Sequence, residues 1–137
     1  MRKTVLILCT GNSCRSQMAQ ALVNHDLGPA IRAISAGTNP GPTVAAGAVE
    51  ALSEAGIPAD GLYPKHVDAV MHEAIDLVIT VCDNAQETCP IFPRPIPALH
   101  MPFHDPHGEP LESFIQVRDE IRTKLLPEVQ KRLASVL

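Results

Sequence analysis

Tryptophan is missing from this chain, and aromatic residues of every kind make up only 3% of its 137 positions. A core built on stacked rings is therefore excluded, and the interior must be aliphatic, from Val, Ile, Leu and Ala. Positive charge is scarce too: 11 Lys and Arg against 15 Asp and Glu leave a net charge of −4. Nucleic-acid partners call for clustered basic side chains, so that class is excluded. Any anion must be held by a local site, not by an overall positive field. No apolar run approaches the roughly 20 residues that a membrane-spanning helix needs. The start, Met1-Arg2-Lys3-Thr4, leads into a short apolar run without the length or cleavage site of a signal peptide, so the expected location is cytoplasmic. The four cysteines, Cys9, Cys14, Cys82 and Cys89, contain no C-x-x-C, so zinc-ribbon spacing is absent and no metal is expected.

What is present is an ordinary globular balance, with 45% hydrophobic and 19% charged residues, at a length typical of one domain over 1–137. Residues 4–9, T-V-L-I-L-C, form a β-branched apolar run that predicts a strand buried on both faces. A helix is expected from Ser16, with Met18, Leu22 and Val23 on its apolar stripe, Gln17, Gln20 and Asn24 off it, and a stop at Gly28-Pro29. Further strands are expected over 31–36, 77–81 and 98–103, and helices over 43–55, 67–73 and 111–136, the last kinked or broken at Pro127. Strand and helix alternate, which predicts a parallel α/β sandwich. In such sheets ligands sit beyond the carboxyl ends of the strands. Cys9 and Cys82 each end an apolar strand, so two thiols distant in sequence can face one crevice.

The segment C-T-G-N-S-C-R-S, from Cys9 through Thr10, Gly11, Asn12, Ser13 and Cys14 to Arg15 and Ser16, joins the first strand to the first helix. A tight loop there points successive N–H groups inward as an anion nest. The helix N-terminus adds unsatisfied donors and the positive end of its dipole. Gly11 and Asn12 tolerate the backbone angles required. The same field favours the thiolate form of Cys9. Arg15 offers a planar fork for two oxygens of a tetrahedral anion, and Ser16 can hydrogen-bond the sulfur. A bare C-x5-R would also suit a buried strand-end cysteine and a surface arginine. No G-x-x-x-x-G-K-S/T nucleotide loop is present.

V-L-I-L-C-T-G-N-S-C-R-S-Q-M-A resembles the N-terminal signature of the low-molecular-weight tyrosine phosphatases and of the arsenate reductases built on the same fold. The resemblance extends through Ser35-Ala36-Gly37 and Asp105-Pro106. It implies a three-layer sandwich with a four-stranded parallel sheet flanked by helices. It also implies that Cys9 is a nucleophile, Arg15 an oxyanion clamp and Asp105 a general acid; without it, Asp105 reads equally as an Asx turn before Pro106. Residues 82–89, C-D-N-A-Q-E-T-C, hold a cysteine pair that resembles the one carried at this spacing by the thioredoxin-coupled arsenate reductases. By that resemblance Cys82 attacks the Cys9–arsenate adduct and Cys89 resolves the Cys9–Cys82 disulfide. Taken alone, the pair also fits two unrelated thiols. Cys14 reads as a packing residue or as a local partner for Cys9.

The implied partners are arsenate, with phosphate and sulfate as competing anions, and thioredoxin; no cofactor is implied, and relatives are usually monomeric. A phosphatase acting on phosphotyrosine or aryl phosphates is the alternative. Phosphatases of this fold carry a Tyr shortly after D-P, whereas His107 follows here and the sole Tyr is Tyr63. Some relatives bind potassium through Asn, Glu, Ser and Asp; Asn12 and Ser35 match, but Gln20 and Lys65 replace the acidic groups, so Lys65 is a candidate stand-in for the ion. The six histidines show no helical i,i+4 pair, and His100, His104 and His107 read as solvated loop residues.

Overall fold

A computed structural model describes residues 2–82 and 95–134. Strands β1 (Lys3–Cys9), β2 (Ile31–Gly37), β3 (Leu77–Thr80) and β4 (Ala98–His100) form one sheet in the order β2-β1-β3-β4. Every pairing is parallel. Val5, Leu6, Ile7 and Leu8 are all completely buried, as the unbroken apolar run predicts for a central strand. Their alternation splits the core in two. Val5, Ile7 and Cys9 join a large cluster with side chains of helices α1 (Arg15–Leu27), α2 (Ala46–Glu54), α3 (Leu111–Glu120) and α4 (Leu126–Ala134). Leu6 and Leu8 pack on the opposite face with Ile34, Ala36, Val78 and Val70 of a short 3-10 turn at Val67–Val70. Burying each such side chain contributes about 1.5–3 kcal/mol.

The expected elements appear with adjustments, and β4 stops at His100 instead of reaching residue 103. Helix α1 starts one residue early, at Arg15, and α2 starts only at Ala46; the Ala45 N–H just before it is bonded to Ser13 O. The segment expected as a helix over 67–73 is the single 3-10 turn. The long C-terminal helix neither breaks nor ends near Pro127. A π-helical turn, Ile121–Leu125, joins α3 to α4 just upstream. Proline lacks an N–H and its ring clashes with the carbonyl four residues back; a wider turn immediately before it relieves both problems without interrupting the helix.

The chain runs from β1 to β2 on one side and then crosses to β3 on the other. The topological switch therefore lies between the carboxyl ends of β1 and β3, where α/β sheets open a ligand crevice. Register places Leu8 beside Thr80 and Cys9 beside Gly37, which brings Cys9 and Cys82 to that crevice.

Candidate active site

The loop after β1 is shaped from outside. Asn39 N–H donates to Thr10 O (3.0 Å), Gly41 N–H to Gly11 O (2.9 Å) and Ala45 N–H to Ser13 O (2.8 Å). The Asn12 carbonyl accepts from Gln17 Nε2 at 2.8 Å. Four successive peptide carbonyls are thus turned outward. The one cis peptide among the described residues is Gly28–Pro29, so these loop peptides are trans, and their N–H groups, on Gly11, Asn12, Ser13 and Cys14, turn inward. Asn12 bends the loop with φ 49°, a left-handed angle that asparagine tolerates. The result is a cavity of ≈ 210 Å³ lined by residues 9–15, Asp105 and His107.

Cys9 lies at its base, 2% exposed. Asn12 N–H donates to its sulfur at 3.2 Å, and Ser16 Oγ lies 3.0 Å away. A chain of side chains orients that hydroxyl. Ser35 Oγ donates to Gln20 Oε1 (2.6 Å), and Asn12 Nδ2 donates to Ser35 Oγ (3.0 Å) and Ser16 Oγ (2.8 Å). Ser16 accepts from Asn12, so its own hydrogen is left for the sulfur. Two donors are thus aimed at one sulfur. The Asn12 amide is itself held by Lys65 N–H, which donates to Oδ1 at 2.9 Å. Ser16, the last residue of the motif and one expected to contact the oxyanion, does not line the cavity; it touches the sulfur, as the sequence also suggested.

Arg15 is buried, and its Nη1 donates to Phe103 O (3.2 Å) and Val81 O (3.5 Å). The guanidinium thereby ties together the ends of β3 and β4. Its Nη2 lies 3.6 Å from Asp105 Oδ2. The other Asp105 oxygen accepts His107 N–H at 3.1 Å, so the residue forms the Asx turn and also stands in the cavity wall. Cys82 is buried, with its sulfur 4.0 Å from Thr10 Oγ1. Cys9, Arg15 and Asp105 therefore line one cavity, and Cys82 lies against its wall at Thr10, although they come from three parts of the chain. Cys89 lies outside the described residues. Cys14 is buried in the main core cluster; burial first, then the nearby Asp105 carboxylate, pushes its thiol up to about 12, so it stays protonated at neutral pH.

Lys65 is placed differently from an ion substitute coordinated by Gln20 and Ser35. Its ammonium donates to Tyr63 O at 3.1 Å and sits 4.6 Å from the Tyr63 ring centroid. Burial lowers its pKa. His100 pairs with Thr80 Oγ1 (2.7 Å) and His104 with Glu109 (2.7 Å), while His107 faces the anion cavity, so the three histidines do not converge. Sequence reading missed Gln17, assigned to a polar side of α1 but completely buried, and missed the three N–H donors of residues 39–45. The signal for Gln17 was its place in the first helical turn, where a side chain can reach back to the preceding loop.

A cysteine-bearing loop of this form at the end of a central parallel strand has the shape of a phosphatase-type oxyanion site. The chain belongs to the low molecular weight phosphotyrosine protein phosphatase family, whose model matches residues 4–135. Within that family it is similar to arsenate reductase 2 of Staphylococcus epidermidis, with 39% identity over 125 residues covering 90% of this chain and 94% of that one. Its structure is similar to that of the arsenate reductase of Archaeoglobus fulgidus (TM-score 0.80, 30% identity, 91% of this chain and 98% of that one). It is also similar to a thioredoxin-dependent arsenate reductase of Corynebacterium glutamicum (TM-score 0.73, 27% identity), covering 96% of this chain and 63% of the other.

Proposed function

We propose that the chain reduces arsenate to arsenite with Cys9 as nucleophile and a Cys82/Cys89 relay, regenerated by thioredoxin. The observation that carries this reading is a second buried thiol, Cys82, whose sulfur lies 4.0 Å from Thr10 Oγ1, a wall residue of the cavity that holds Cys9. A phosphatase needs only the first. The inward N–H groups of Gly11, Asn12, Ser13 and Cys14, with Arg15, hold arsenate. Cys9 sulfur attacks arsenic and displaces one oxygen, which leaves as water after proton transfer from Asp105 and solvent; arsenic remains As(V). Cys82 thiolate then attacks the Cys9 sulfur. The S–As bonding pair stays on arsenic, which departs as As(III), and the two thiols are oxidised to a disulfide. Cys89 attacks Cys82, releasing Cys9 as thiolate. Thioredoxin, a dithiol, reduces the Cys82–Cys89 disulfide and returns the two electrons.

The relatives' names support this assignment, and the thioredoxin-dependent structural neighbour supports the reductant. The chain acts in this reading as one monomeric domain in the cytoplasm; no helix among the described residues is long and apolar enough to cross a membrane. Hydrolysis of small aryl phosphates remains as a side activity of the same cradle. The test follows NADPH oxidation with arsenate, thioredoxin and thioredoxin reductase. Wild type turns over continuously, and Cys89→Ser gives a single stoichiometric release of arsenite. Continuous turnover by Cys89→Ser at the wild-type rate would remove Cys89 from the relay. Aryl phosphatase activity with no arsenite formed would select the phosphatase reading.

A further inference from the structure

The four outward-turned carbonyls of the loop differ in what holds them. Three are held by main-chain N–H groups of residues 39–45, and the fourth, Asn12 O, is held by a side chain, Gln17. Gln17 is 0% exposed, and its Nε2 spends both hydrogens on carbonyls: Asn12 O at 2.8 Å and Tyr63 O at 2.9 Å. Its Oε1 is buried with no hydrogen-bond partner among the described residues. A buried acceptor left unsatisfied is costly, and an apolar side chain of the same length would fill the space without that cost. The amide therefore serves its donors. One of them fixes the peptide between Asn12 and Ser13, whose N–H faces the cavity. The other anchors the amide to the Tyr63 carbonyl, which also accepts the Lys65 ammonium.

We infer that Gln17 is a positioning residue for the oxyanion cradle, holding the Ser13 N–H on the bound anion through the Asn12 carbonyl. The inference rests on the reading of the cavity as a tetrahedral-oxyanion site and adds a residue to it that touches neither the anion nor Cys9. With Gln17 replaced, the Asn12–Ser13 peptide is free to rotate, and the anion loses one of its inward donors.

The experiment measures sulfate affinity by calorimetry for wild type, Gln17→Met and Gln17→Glu, which reads the cradle without any redox step. Methionine keeps the length and packing of the side chain and removes both donors; glutamate keeps the shape and removes them as well. Loss of one hydrogen bond to a charged group predicts that sulfate affinity falls about tenfold or more in Gln17→Met, with the Ser13 amide resonance no longer responding to sulfate. Gln17→Glu falls at least as far. A folded Gln17→Met that binds sulfate as tightly as wild type overturns the inference and leaves Gln17 as filler. Should both variants fail to fold, the wild-type spectrum decides: the Ser13 amide must shift on sulfate addition, and a Ser13 amide that ignores sulfate also overturns it. Wild type without any sulfate affinity would overturn the oxyanion reading itself, a distinct result from the loss of the variant effect.

Discussion

Replacing Gly37 with alanine tests whether the strand beside Cys9 shapes the anion cradle. Gly37 ends β2 directly opposite Cys9. A Cβ there would stand 2.4 Å from Thr10 O and 2.8 Å from Cys9 O. Both atoms are main chain, so no rotamer change relieves the contact. Gly37 cannot retreat easily, since its N–H is bonded to Lys65 O at 2.9 Å. The loop must move instead, and the Thr10 carbonyl must leave its bond to Asn39 N–H. Overpacking of this kind costs about 1–3 kcal/mol. At this chain length each kcal/mol moves Tm by about 4 °C, so a fall of roughly 4–12 °C is expected. Turning the Thr10–Gly11 peptide removes the Gly11 N–H from the anion, and a hydrogen bond to a charged group is worth about 1.5–3 kcal/mol, so sulfate affinity should fall about ten- to a hundred-fold.

Thermal unfolding and sulfate calorimetry separate the two effects. Gly56→Ala is the control: φ there is 75° with open space around the added Cβ, so it costs stability by backbone strain alone. It should lower Tm and leave sulfate affinity unchanged. A Gly37→Ala variant with reduced Tm but wild-type sulfate affinity would refute the claim that the end of β2 positions the loop.

Two further outcomes are expected. With its thiol pushed up to about 12, Cys14 should resist alkylation by iodoacetamide in the native protein at pH 8, and Cys14→Ala should keep arsenate kcat/KM within about threefold of wild type; mass mapping and steady-state rates check both, and a large loss would give Cys14 a chemical role. The Arg122 guanidinium, bonded to both Asp26 oxygens at 2.7 and 2.8 Å, holds the Asp26 carboxyl below its usual range. A depressed carboxyl pKa stabilises the fold above the unfolded-state value near 3.8 and loses that contribution as pH falls through the native value. Asp26→Asn should therefore cost up to about 1 kcal/mol at pH 7, a modest figure because the pair is partly exposed, and the difference in Tm should close in strong acid.

Much of the site was legible locally. Cys9, Gly11, Asn12, Ser13 and Arg15 are close in sequence, and a strand running into a helix dictates what such a loop can bind. The two-sided burial of β1 followed from the composition of one short run. Other features were readable only in part. The kink or break expected at Pro127 was a reading of one residue's covalent chemistry; the irregularity is there, as a π-helical turn just upstream and not as a break. The polar side of α1 was a reading of periodicity, and it misplaced Gln17 because the first turn of that helix is enclosed by the loop it serves.

The amino-acid order alone determined a parallel α/β chain with an anion loop that begins at a thiol, since those depend on residues a few positions apart and on strand and helix periods. Only the tertiary structure decided which groups hold that loop open: the N–H groups of Asn39, Gly41 and Ala45, the Gln17 amide, and the Ser35 and Lys65 contacts to Asn12. It also brought Asp105 beside Arg15. The reason is physical. A hydrogen bond between distant segments depends on where the packed core sets their backbones, and no local pattern records which carbonyl will find which donor.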